Sequence, residues 1–143
     1  MKFYITGSHD ESLGKYLKEN FFCVDTLEEC DVFINCRHEG FKQVELLYEA
    51  VKLEKTIINI GSISSDGFKT NPRQYPIHKY ALDKANEQLF HCGYQTTNIR
   101  LGYLDTGNTK TKKVKKISKD YICDLIFWIL NQPHRIKEIT IDP

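Results

Sequence analysis

Two tyrosine–lysine pairs and a serine have the types and spacing to do chemistry in this 143-residue sequence. Tyr80 and Lys84 stand four residues apart in Tyr-Ala-Leu-Asp-Lys-Ala, and Tyr75 and Lys79 have the same spacing in Tyr-Pro-Ile-His-Lys. Side chains four apart share one face of a helix. A free phenol ionises near about pH 10, and an ammonium held beside it favours the phenolate. Either pair therefore suits a tyrosine that gives or takes a proton. Pro76 biases Tyr75 away from helical geometry, which favours Tyr80–Lys84 and leaves Tyr75–Lys79 as the rival pair.

A second feature could hold a phosphate. In Thr6-Gly7-Ser8-His9-Asp10-Glu11-Ser12-Leu13-Gly14, one glycine permits a sharp turn out of a strand and the other permits close packing of the helix that follows. A helix start between them offers free N–H groups and the positive end of the dipole to an anion. Asp10 and Glu11 sit where such an anion would approach, and they would repel it.

The elements that must position these residues alternate along the chain. Strands are expected at residues 2–6, 21–24, 31–35, 56–60, 98–101 and 136–141, and helices at 11–19, 41–53, 78–92 and 118–130. Residues 56–60 (Thr-Ile-Ile-Asn-Ile) form an uninterrupted run, as in a parallel sheet buried on both faces. Residues 61–74 read as a polar loop and 105–116 as a lysine-rich connection. Ser118 can cap the last helix, with Pro133 just past its end. Strands alternating with helices predict an α/β fold, a Rossmann-like doubly wound parallel sheet, as one minimal domain over 1–143. In such sheets ligands bind at the carboxyl ends of the strands.

Composition narrows the function classes. A net charge of +1 gives no global field toward nucleic acid or a membrane surface. No apolar run approaches the roughly 20 residues of a membrane span. The N-terminus reads at once as a strand and not as a signal peptide, which makes the cytoplasm the expected compartment. Cys23, Cys30, Cys36, Cys92 and Cys123 are odd in number, without a Cys-x-x-Cys pair, and read as buried free thiols. No metal-ligand spacing links them to His9, His38, His78, His91 or His134, and no metal is expected.

Read in order, the strand ends resemble the short-chain dehydrogenases/reductases. Thr6-Gly7…Ser12-Leu13-Gly14 is similar to that family's glycine motif, stretched by one residue and without its middle glycine. Asp31-Val32-Phe33-Ile34-Asn35-Cys36 resembles the strand-four motif, and Ile57-Ile58-Asn59-Ile60-Gly61-Ser62 the strand that carries the catalytic serine. Tyr80-Ala81-Leu82-Asp83-Lys84-Ala85 resembles the Tyr-x-x-x-Lys helix, and the alanine after each of Tyr80 and Lys84 suits that pattern. Tyr75, however, follows Ser62 by 13 residues, the spacing usual in the family, against 18 for Tyr80. Asn98 to Thr106 resembles the segment that flanks the nicotinamide, and Ser118 to Pro143 the last helix and strand. The family's catalytic asparagine has no counterpart, and the stretch between the second and fourth strands is cut short.

The resemblance implies an NAD(P)-dependent oxidoreductase acting on a small carbonyl or alcohol. Ser62 would hold the substrate oxygen, Tyr80 would act as general acid/base, and Lys84 would tune Tyr80 and bind the ribose. Gly7, Ser8, His9, Leu13, Asn35, Cys36, Ile60 and Gly102 would line the cofactor, with Asp25 on the adenosine ribose hydroxyls if the cofactor is NAD and not NADP. Lys110, Lys112, Lys113, Lys115, Lys116 and Lys119 lie where the family carries its substrate lid and read as a solvated loop. The alternative is a catalytically degenerate nucleotide-binding or regulatory protein of the same fold. The resemblance also implies a homodimer or homotetramer built on the helices at 41–53 and 78–92. A monomer in light scattering would contradict that.

Overall fold

In the computed structural model, which describes residues 1–67 and 72–143, five parallel strands form one sheet. They are β1 (Phe3–Ile5), β2 (Val32–Asn35), β3 (Thr56–Ser62), β4 (Thr96–Leu101) and β5 (Glu138–Ile141), in spatial order β1-β2-β3-β4-β5. Four helices cross between them: α1 (Leu13–Asn20), α2 (Lys42–Lys52), α3 (Tyr75–His91) and α4 (Lys119–Leu130). The register aligns Ile5 with Ile34, Asn35 with Asn59, and Leu101 with both Ser62 and Ile141. The carboxyl ends of the strands therefore share one edge. The doubly wound α/β expectation is met.

Two apolar layers hold the sheet. Leu13 and Leu17 of α1 and Ile122, Ile126 and Ile129 of α4 pack on one face against Ile5, Ile34, Ile58 and Ile99. Leu47, Ala50 and Val51 of α2 and Leu82, Ala85 and Leu89 of α3 pack on the other against Phe33 and Ile57. Ser12 and Ser118 cap α1 and α4 by accepting from the N–H groups of Lys15 and Tyr121. Among the described residues no helix is long and apolar enough to cross a membrane.

Four local expectations need correction. The strand expected at residues 21–24 contracts to a single parallel bridge, Phe3 to Cys23, because only Phe3 N–H to Phe22 O and Val24 N–H to Phe3 O connect it to the sheet. The helix expected over 78–92 begins one turn earlier, at Tyr75, with Pro76 in its first turn. A proline is tolerated there, since its missing N–H would find no partner within the helix in any case. The loop expected over 61–74 starts late: Gly61 and Ser62 close β3, and Ile63–Asp66 wind into a short 3-10 helix. Residues 68–71 of that loop lie outside the described residues. Finally, the five thiols are not uniformly buried, because Cys23 and Cys92 are exposed.

Candidate active site

A groove of about 1100 Å³ opens along the carboxyl edge of β1 and β2. Its wall includes Gly7, Ser8, His9, Leu13, Asp25, Cys36 and Ile60, seven of the residues expected on a cofactor. Gly7 turns with φ +90°, a conformation that favours glycine. A Cβ on Gly14 would lie 2.6 Å from the Gly7 carbonyl oxygen and 2.7 Å from that of Thr6, so only glycine lets α1 start this close to β1. Thr6 Oγ1 accepts from the N–H groups of Cys36 and Arg37, both at 3.1 Å, and so fixes how the chain leaves β2.

Asp10 and Glu11, expected to repel an anion, do not line the groove, and each lies near a lysine. Lys15 Nζ donates to Asp10 Oδ1 at 2.8 Å. Glu11 takes a left-handed conformation, φ 59°, that turns it to the segment after β4. There its carbonyl accepts from Gly107 N–H at 3.3 Å, and its carboxylate lies 3.9 Å from Lys110 Nζ. The residue that stretches the loop thus ties it to the connection at 105–116. Lys18, in the last turn of α1, does line the groove.

The two tyrosine–lysine pairs take different environments on α3. Tyr80 is 45% exposed and Lys84 pairs with Glu87 at 3.4 Å on the solvent side of α3, so neither reaches the groove. Their five-residue offset from Tyr75 and Lys79 rotates them by more than a full turn onto the outer face. Lys79 is buried against β3, while Tyr75 is 38% exposed. The Tyr75 ring lies edge-on to His38, with centroids 4.5 Å apart, and His38 lines the groove. The Ser62 hydroxyl and Arg73 favour the Tyr75 phenolate, but burial is the stronger effect and holds the phenol above its ordinary pKa. Lys79 Nζ lies 5.7 Å from the Tyr75 ring centroid and donates to the Ile60 carbonyl at 3.0 Å. Burial pushes its pKa down to about 8, against Cys36 and Asp83, which pull it up. Burial raises the Cys36 thiol to about 12, which leaves it protonated and unreactive at neutral pH.

Two other expected residues stand apart from the groove. Asn35 is fully buried beneath it, its Nδ2 donating to Gln43 O at 2.8 Å and to Asn59 Oδ1 at 2.9 Å. Gly102 packs against the end of the chain, where a Cβ would lie 2.8 Å from Asp142 Oδ1. Ser62 is held from behind by an ionic cluster. Ser65 Oγ lies 3.0 Å from Ser62 O, 2.5 Å from Asp83 Oδ2 and 2.9 Å from Arg100 Nη2, and Arg100 also meets Asp66 at 2.7 Å. In the lysine-rich connection, Lys112 Nζ sits 4.9 Å over the Tyr103 ring. Among the described residues no group of three or more His, Cys, Asp or Glu side chains could hold a metal ion.

Sequence reasoning missed Gln43. Gln43 is buried at the start of α2, and Lys79 Nζ donates to its Oε1 at 2.7 Å. Nothing in a lone glutamine between Lys42 and Val44 signals this. His38 is held neutral: burial first, then Lys79 and His78, push its pKa down to about 4 from 6.5. The unfolded chain therefore binds the proton more readily, and stability is lost as the pH falls from about 6.5 to about 4. Chemical denaturation at pH 7 and pH 5 should show a smaller acid loss in His38→Gln than in the parent. Equal losses would contradict this account of the histidine.

No family model matches the sequence, and no curated protein matches it. Solved structures do match. A 4-hydroxyisoleucine dehydrogenase complexed with NADH aligns over 99% of this chain and 96% of its own, with TM-score 0.70 and 15% identity. An alcohol dehydrogenase from the archaeon Thermococcus sibiricus, complexed with 5-hydroxy-NADP, aligns over 98% and 95%, with TM-score 0.71 and 14% identity. A short chain dehydrogenase from Burkholderia cenocepacia in complex with NADP aligns over 98% and 87%, with TM-score 0.67 and 14% identity. The chain has the fold of the short-chain dehydrogenases.

Proposed function

We propose that this chain is a shortened short-chain dehydrogenase/reductase, an NAD(P)-dependent oxidoreductase of small carbonyl or alcohol substrates, with Tyr75, Lys79 and Ser62 as its catalytic residues. The observation that carries the reading is that Tyr75 packs on His38 and Lys79 donates to the Ile60 carbonyl, both residues of a groove that is also lined by a glycine-turned helix start, with Ser62 beside Tyr75. The groove suits a dinucleotide. The first N–H groups of α1 have no partner within the helix, Leu13 and Gly14 line the wall, and Asp10 and Glu11 lie against Lys15 and Lys110. Asp25 on the wall supports NAD over NADP, and Arg37, which could meet a 2′-phosphate, is instead paired with Glu39.

The bound cofactor supplies the hydride acceptor or donor. Ser62 holds the substrate oxygen by hydrogen bonding. Tyr75 transfers the proton at that oxygen, giving it during reduction and taking it during oxidation. Lys79 places a positive charge beside the phenol and keeps one donor for the ribose. The test is oxidation of NADH or NADPH with a panel of small aldehydes and ketones. Turnover with at least one is expected; binding of cofactor without turnover on any of them would favour the non-catalytic reading.

A further inference from the structure

We infer that Gln43 is a positioning residue for Lys79: its side-chain amide clamps the lysine ammonium at the end of the groove and takes the place of a counter-carboxylate. The inference rests on the reading of Lys79 as the lysine of the site.

Lys79 is 4% exposed and Gln43 3% exposed, so neither is solvated. A buried ammonium without partners is costly. Among the described residues, the acceptors in contact with Lys79 Nζ are the Gln43 Oε1 at 2.7 Å and the Ile60 carbonyl at 3.0 Å. No ion pair joins Lys79 to a carboxylate among the described residues. The charged and titratable groups around it are Cys36 at the end of β2, His38 in the loop that follows, and Tyr75 and Asp83 on its own helix.

The amide can sit only one way round. Gln43 Nε2 donates to Asn35 O at 2.8 Å and to Ile60 O at 3.1 Å, which uses both of its N–H groups. Turned over, the amide would set its oxygen against two carbonyls and its N–H groups against the ammonium. Asn35 locks it further, because Asn35 Nδ2 donates to the Gln43 carbonyl at 2.8 Å. An ammonium has three donors. Two are spent on Gln43 and Ile60, so the clamp fixes the direction of the third. It links the ends of β2 and β3 to the lysine through one side chain.

The test reads Lys79 in the chain without cofactor, by NMR pH titration of lysine labelled with ¹³C at Cε, the Lys79 signal being identified by its absence from Lys79→Met. In Gln43→Met, which keeps the length and removes the acceptor, the Lys79 midpoint should fall by about one pH unit. In Gln43→Glu it should rise by at least about as much. A glutamine that merely filled space would change stability and leave the midpoint in place. If Gln43→Met does not fold, the isosteric Gln43→Glu decides alone. An unmoved midpoint in the folded variants overturns the inference, whether or not cofactor binds the parent. Shifted midpoints in a parent that binds neither NADH nor NADPH keep the clamp and overturn the cofactor reading instead.

Discussion

Tyr75→Phe should lower turnover by about a hundredfold to ten-thousandfold, the usual contribution of a positioned proton-transfer group, while the fold and cofactor affinity stay close to the parent. The substitution removes one oxygen from a ring that is partly exposed and stacked edge-on against His38, so the aromatic contact survives. Tyr80→Phe should leave turnover unchanged, since Tyr80 stands on the solvent side of α3. Steady-state kinetics on both variants checks the pair. Full activity in Tyr75→Phe would remove Tyr75 from the mechanism, and loss in Tyr80→Phe would return the assignment to the outer pair.

The second large effect is on stability. Arg100→Met should cost about 3–5 kcal/mol, the range for breaking a buried ion pair from one side. The Arg100 side chain is 9% exposed and that of Asp83 14%, and Asp83 would keep only the Ser65 hydroxyl and Asn98 Nδ2, at 2.8 Å, as partners. For a domain of this length the loss lowers Tm by roughly 6–20 °C. Removing both charges, in Arg100→Met with Asp83→Leu, should restore part of it, because the uncompensated carboxylate is then gone. Thermal unfolding checks both. A loss below about 1 kcal/mol for Arg100→Met would show that the cluster is solvated and does not brace the segment from Ser62 to Asp66.

The architecture was legible because it rests on repeated, local signals. Strands rich in Ile and Val alternate with helices whose apolar spacing marks their buried face, and two serine caps mark where helices begin. The strand at residues 21–24 was over-read, since an apolar pair such as Phe21–Phe22 says nothing of how many hydrogen bonds a neighbouring strand will offer. The glycine loop was legible too, because a turn demands particular backbone chemistry. The choice between the tyrosines was not. Pro76 bars a helix interior but suits a helix start, and only the true boundary of α3 tells those apart. Asp10 and Glu11 looked like a barrier to phosphate, yet their direction depends on Lys15 and on a segment about a hundred residues away.

The polar floor of the site was invisible for another reason. Asn35, Asn59 and Asn98 stand in register on three adjacent strands, where they read as interruptions in apolar runs. Asn59 Nδ2 reaches Asn86 Oδ1 at 3.2 Å and Thr96 Oγ1 at 3.1 Å, and Asn35 continues the chain to Gln43 and so to Lys79. The partners of these buried amides come from elements far apart in sequence, and Asn35 Oδ1 and Asn98 Oδ1 have none among the described residues.

The central claim, that the groove between Gly7 and His38 holds a nicotinamide dinucleotide whose reactive end meets Tyr75 and Lys79, is tested most directly by calorimetric titration with NADH and with NADPH. The account predicts saturable one-to-one binding with Kd below about 1 mM, tighter for NADH because of Asp25. No binding of either cofactor at that concentration would contradict it.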